Sequence, residues 1–260
     1  MTSSQSILTN PFVIGLLALA SSFGGALLGM WIRLRLPEHH LAEASKDTVK
    51  LGIGLVATMT ALVLGLVTAS AKNAFDTLDT AVRHTAVDLL TLDRTLARYG
   101  PETESIRLEL KENVANRVDR IWPRDASSPR LDPAVASIAM EGVVEKVRLL
   151  VPHGDAQKHL QARALDLCES LLATRWLSVP GRTSSIPLAF LLILQFWLGI
   201  IFMSFGLFAP RNTTVVGVLL LCSLSVAGAQ FILLEMDRPL EGLIKVSPEP
   251  LRYAIDRLGR

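Results

Sequence analysis

Between Leu51 and Ala71 the chain reads LGIGLVATMTALVLGLVTASA. No charge interrupts this stretch, and Lys50 and Lys72 bound it. As a helix rising about 1.5 Å per residue it is long enough to cross the roughly 30 Å hydrocarbon core of a bilayer. Three more blocks share that character: Pro11–Ile32, Ile186–Ala209 and Thr213–Leu234. Half of the 260 residues are hydrophobic and only 19% are charged, and the charges crowd into the intervals between the four blocks. A bilayer imposes such segregation, because a charge at its centre costs a few kcal/mol even on lenient scales. The expected fold is therefore all-α: a polytopic membrane protein with four transmembrane helices and a helical domain inserted between the second and third.

The first block reads as a retained span. The leader Met1–Asn10 holds no Lys or Arg, and Arg33 and Arg35 follow where a cleavage site would need small residues. No Gly or Pro occurs between Leu66 and Tyr99, so nothing local stops the second helix at the membrane surface. Beyond Lys72 its pattern turns amphipathic, with Phe75, Leu78, Val82, Ala86, Leu89 and Leu96 on one face. One helix from about Val49 to Tyr99 is expected, ended by Gly100-Pro101. Further helices are expected at Glu102–Ile121, Pro133–Leu150 and Asp155–Leu177, and Pro210-Arg211-Asn212 turns the last two spans into a hairpin. The resulting division is 1–71, the first helix pair; 72–185, the inserted helical domain; 186–235, the second hairpin; and 236–260, a C-terminal tail.

Four crossings put both termini and the inserted domain on one side. A modest excess of flanking Lys and Arg on that side favours the cytosol, with the spans in the inner membrane. The net charge of +2 gives no nucleic-acid footprint. Cys168 and Cys222 fall in segments of opposite character, so no disulfide is implied.

No nucleotide-binding loop, nucleophile elbow or CxxC is present, and no cofactor is expected. His39, His40 and Glu43 are the nearest approach to a metal site, and a hydrated interfacial loop is the simpler reading. Ser21, Gly25 and Gly29 recur every fourth residue, a small-residue face for helix packing. Gln195 and Gln230 lie inside the last two spans, where a buried amide seeks a partner, so a bond across the hairpin is expected. On the second span Gly54, Ala57, Ala61, Gly65 and Thr68 form one stripe, with Thr58 at its edge and Lys50 and Lys72 at its ends. Leu55, Met59, Leu62, Val63, Leu66 and Val67 occupy the other face. The stripe fits either a close helix–helix contact with snorkelling lysines, the commoner use of such residues, or the wall of a narrow pore with lysine rings at both mouths.

Several motifs resemble those of a bacterial family of membrane proteins with a bestrophin-like domain. They are Leu36-Pro37-Glu38-His39-His40-Leu41, Lys50-Leu51-Gly52 through Met59, Ala69-Ser70-Ala71-Lys72, Leu92-Asp93-Arg94-Thr95-Leu96, Tyr99-Gly100-Pro101, Met236-Asp237-Arg238-Pro239-Leu240 and Val246-Ser247-Pro248-Glu249-Pro250-Leu251. The family resembles, more remotely, the bestrophins: pentameric anion channels with four membrane helices per subunit, cytosolic termini and a pore lined by the second helix. The resemblance implies a homo-oligomer, a pentamer by that analogy, in contact with lipid and inorganic ions. Two features depart from the bestrophin pattern: the small-residue stripe has no bulky apolar neck, and no acidic cluster reads as a calcium clasp. The leading expectation is an anion-conducting channel, and the alternative is a non-conducting scaffold or sensor for a cytosolic partner. An enzyme ranks last, because the second and third spans hold no ionisable residue. With cytosolic termini, tags at Met1 and Arg260 should both resist protease added to intact cells, and cleavage of either from outside would overturn the topology.

Overall fold

A computed structural model describes residues 11–37, 43–123, 133–173, 186–210, 212–240 and 242–260. Among these the structure is helical and contains no strand. The helices are α1 (Pro11–Arg35), α2 (Glu43–Tyr99), α3 (Glu104–Ile121), α4 (Pro133–Arg148), α5 (Asp155–Ala173), α6 (Leu188–Phe208), α7 (Thr213–Met236) and α8 (Glu249–Arg257). Four of them, α1, α2, α6 and α7, are long and apolar enough to cross a membrane. The chain divides into two compact units, one of residues 1–75 and 184–244, the other of 76–183 and 245–260.

The 57 residues of α2 run without a break, a length of about 85 Å at the usual helical rise. Its end is chemically marked. Gly100 takes φ 152°, a conformation that side chains disfavour, and Pro101 opens a short 3-10 turn through Thr103. The Thr103 hydroxyl lies 2.6 Å from the Leu96 carbonyl oxygen and 2.8 Å from that of Gly100, adding to the backbone bonds that Gly100 N–H and Thr103 N–H donate to the same two carbonyls.

In the first unit α1 packs on both α6 and α7. The contact with α6 is backbone against backbone. A Cβ on Gly25 would stand 2.6 Å from the Gly199 carbonyl oxygen, and on Gly29 or Gly206 it would overlap the Met203 or Ala26 carbonyl. Phe202, Ala26, Met30 and Leu219 bury against one another beside this contact. A second cluster joins Ile14, Val67, Ala71, Ile186, Leu233 and Leu234, bringing α2 against the same group. Within the interior, the Ser21 hydroxyl donates to Gln195 Oε1 at 3.3 Å and Gln195 Nε2 donates to Gln230 Oε1 at 3.1 Å. Gln230 is buried, and its own Nε2 finds no acceptor among the described residues.

The second unit is organised by an ion pair that spacing alone does not reveal. Arg107 on α3 grips Asp93 on α2 through two bonds of 2.8 and 3.0 Å, with Asp93 almost wholly buried. That bond, outweighing the opposing effect of burial, pushes the Arg107 guanidinium further above its usual range. Asp93 also accepts from the Gly259 N–H at 3.1 Å, and Arg107 and Lys111 donate to the carbonyls of Arg260 and Leu258. At the far end of α3, Trp122 Nε1 donates to the Val246 carbonyl at 2.9 Å. Residues 245–260 are thus laid antiparallel along α3, with Val246, Leu251, Ala254 and Leu258 buried. The sequence alone predicts a tail there and no helix. Pro248 and Pro250 look like breakers, but Pro250 sits in the first turn of α8, where no intrahelical N–H bond is required.

The α1–α6 contact has no room for a side chain. Gly25→Leu should lower thermal stability in detergent by at least about 3 kcal/mol, the upper range for overpacking, because the obstruction is backbone that cannot rotate away. An unchanged melting curve would remove this contact from the fold's supports.

Candidate functional site

The α2 span is the least covered of the four: only 11% of its apolar stretch is buried within the chain, against 39% for α6. Its residues fall on three faces rather than two. Ile53, Val56, Thr60, Val63, Leu64, Val67 and Ala71 are buried or half-buried. Val63 and Val67 therefore leave the bulky face to which the helical wheel assigned them and face the other spans of their own unit. A wheel orders residues by angle but does not say which arc is covered.

Two open faces remain, side by side. One carries Thr58, Ala61, Gly65, Thr68 and Lys72, all exposed, with Gly54 and Lys50 exposed beyond them and Ala57 half-buried at the border. Among the described residues nothing stands within 4 Å of the place a Cβ on Gly54 or Gly65 would take, so close helix packing does not require glycine at either position. The other open face carries Leu55, Met59, Leu62 and Leu66, with Leu62 73% exposed. The hydroxyls of Thr58 and Thr68 donate back to the carbonyls of Leu55 and Leu64 at 2.8 and 2.7 Å. They turn lone pairs outward, so the positive groups at the two ends of the stripe are its lysines. Lys50 pairs with Asp47 at 3.2 Å on the exposed surface.

The remaining candidates lie elsewhere. Ser21, Gly25, Gly29, Gln195 and Gln230 occupy the interior between α1, α6 and α7 described above. His39 and His40 lie outside the described residues, as does the side chain of Glu43, whose backbone opens α2. Among the described residues no group of three His, Cys, Asp or Glu side chains converges on a metal position. Three of the seven motifs that carry the family resemblance prove to be joints: Asp93 anchors Arg107, Gly100 ends α2 and Val246 receives Trp122. At the end of α7, the buried Glu235 accepts the backbone N–H groups of Leu243 and Ile244.

These features define an all-α, polytopic membrane protein. A family model described as the bestrophin-like domain matches residues 20–251. A crystal structure of a mutant bacterial bestrophin homologue from Klebsiella pneumoniae superposes with a TM-score of 0.57 at 17% identity, covering 95% of this chain and 96% of that one. No curated protein matches. The chain belongs to the bestrophin-like family.

The two native thiols bear on any probe of α2. Cys168 is buried, and burial together with the nearby Glu169 pushes its pKa up to about 11. At pH 8 only about one in a thousand would be thiolate, so Cys168 should stay unlabelled by water-soluble maleimide in the folded protein. Full labelling before unfolding would contradict its burial.

Proposed function

We propose that this chain is the subunit of an oligomeric ion channel in which α2 surrounds the axis and lines the conducting path. The observation that carries the reading is the open, small-residue face of α2 between Lys50 and Lys72, on which Thr58, Ala61, Gly65 and Thr68 are exposed and nothing among the described residues stands within 4 Å of the place a Cβ on Gly54 or Gly65 would take. A helix facing only lipid has no need of Gly, Ala and Thr in register, whereas a helix in a ring needs one face for water and another for its neighbour. The pore-lining assignment is Lys50, Gly54, Ala57, Thr58, Ala61, Gly65, Thr68 and Lys72, and the Leu55, Met59, Leu62 and Leu66 face meets the adjacent subunit or lipid. Membership of the bestrophin-like family and the likeness of fold support a homo-oligomer, with five copies as the count the analogy offers. The termini and the second unit face the cytosol, and the membrane is the bacterial inner membrane. The lysine rings would concentrate anions at both mouths, so anions are the permeant class.

Cysteine scanning tests this reading. In a background lacking Cys222, Gly65→Cys and Thr68→Cys should react with charged thiol reagents and change conductance in planar bilayers, while Leu62→Cys and Leu66→Cys stay inert. Lys72→Glu should shift the reversal potential away from anions, more at 10 mM than at 1 M salt, where the screening length falls from about 30 to about 3 Å. Inert cysteines on the small stripe, with no selectivity shift, would leave the partner-binding scaffold as the better reading.

A further inference from the structure

At the end of the first unit where Arg35, Lys50, Ala209 and Thr213 lie, the span helices part around an apolar groove of about 600 Å³. Gly54 and Ala57 of α2 form one wall, and Phe205 of α6 and Val218 of α7 belong to the others. The rim is cationic. Lys50 lines the groove directly, and Arg33 donates a hydrogen bond to the carbonyl of Ala209, another lining residue. We infer that this groove holds one acyl chain of an anionic phospholipid, with the phosphate at Lys50 and Arg33.

The argument rests on the order of the chemistry along the groove. Apart from the hydroxyls of Ser204 and Thr214 its body is apolar, and its two cations stand at one end, the membrane-surface end of the four spans. A phospholipid has the matching sequence: a phosphate at the surface and hydrocarbon below. A second copy of the chain matches less well, because a symmetric neighbour brings its own Arg33, Arg35 and Lys50 to the same level. The Asp47 carboxylate 3.2 Å from Lys50 is no barrier, since both side chains are well exposed and such a pair yields readily to a competing anion. The inference needs only the membrane placement of the spans. It goes beyond the channel reading and shares Lys50, Gly54 and Ala57 with it, so where lipid holds these three the path is lined by the rest of the stripe, from Thr58 to Lys72.

Native mass spectrometry of the full chain in mild detergent tests it, with phosphatidylglycerol and phosphatidylcholine of identical acyl chains as probes. The wild type should retain phosphatidylglycerol about fivefold or more over phosphatidylcholine, the discrimination expected from one surface cation. Lys50→Gln should lower that ratio several-fold, and Lys50→Gln combined with Arg33→Gln should bring it close to one. Ala57→Trp and Val218→Trp, filling the groove from opposite walls, should each abolish retention of both lipids. Val218 is 52% exposed, so its variant should fold even if Ala57→Trp does not, and size-exclusion and melting profiles would verify this. Equal retention of the two lipids by the wild type, or undiminished retention by a folded Val218→Trp chain, would overturn the proposal. So would displacement of the lipid by inorganic phosphate alone. Disulfide cross-linking of Val218→Cys copies with lipid excluded would also overturn it, assigning the groove to a neighbouring subunit. Channel recordings are not involved, so this result and the conduction test fail independently.

Discussion

Inside a bilayer, apolar side chains gain little from meeting one another, because lipid tails are as good a solvent for leucine as another helix is. What remains is close van der Waals fit and hydrogen bonding between helices. The backbone contact of α1 with α6 supplies the first: Gly25 against Gly199, Gly29 against Met203 and Gly206 against Ala26 remove the side chains that would hold the helices apart. The α7 helix joins through Ala26, Leu219 and the aromatic pair of Phe12 with Phe231. With α1, α6 and α7 packed in this way, α2 makes only a one-sided contact, and its two remaining faces are open to whatever surrounds the subunit.

Hydrogen bonding supplies the second. The relay from Ser21 through Gln195 to Gln230 links three helices at a depth where water is scarce. It is incomplete, since among the described residues Gln230 Nε2 and the hydroxyl of the buried Ser22 have no hydrogen-bond partner. An uncompensated buried polar group costs about 1–3 kcal/mol, so the relay gives orientation more than net stability. Helices joined by amides and hydroxyls have a preferred rotation about their axes that purely apolar packing would not impose.

The four spans and the stop at Gly100-Pro101 were legible in the residues, because each reports on local chemistry: hydropathy over a span length, or a backbone that cannot continue. The three-faced character of α2 was not legible, since the small and bulky stripes are adjacent and nothing in their spacing tells which third of the helix meets α1 and α7. Nor was the Asp93–Arg107 clamp, whose partners sit fourteen positions apart on different helices and look like ordinary surface charges. The same holds for Gly199 and Gly206. The small-residue face on α1 was visible, but its complement on α6 is scattered among Phe, Leu and Ile and becomes a pattern only when the helices are aligned. Pro248 and Pro250 concealed α8 by resembling a linker.

The reciprocal fit of Gly29 and Gly206 also bears on movement. Each helix seats a carbonyl of the other in the notch its own glycine leaves, so the two backbones engage like teeth. Sliding one along the other would drive those carbonyls into the flanking Leu28, Met30, Phe205 and Leu207, and the next comparable seat lies about one helical turn away, some 5.4 Å. Axial displacement is thus divided into detents instead of varying smoothly. Rocking about the notch disturbs the teeth least, which makes α1 and α6 a pivot rather than a piston.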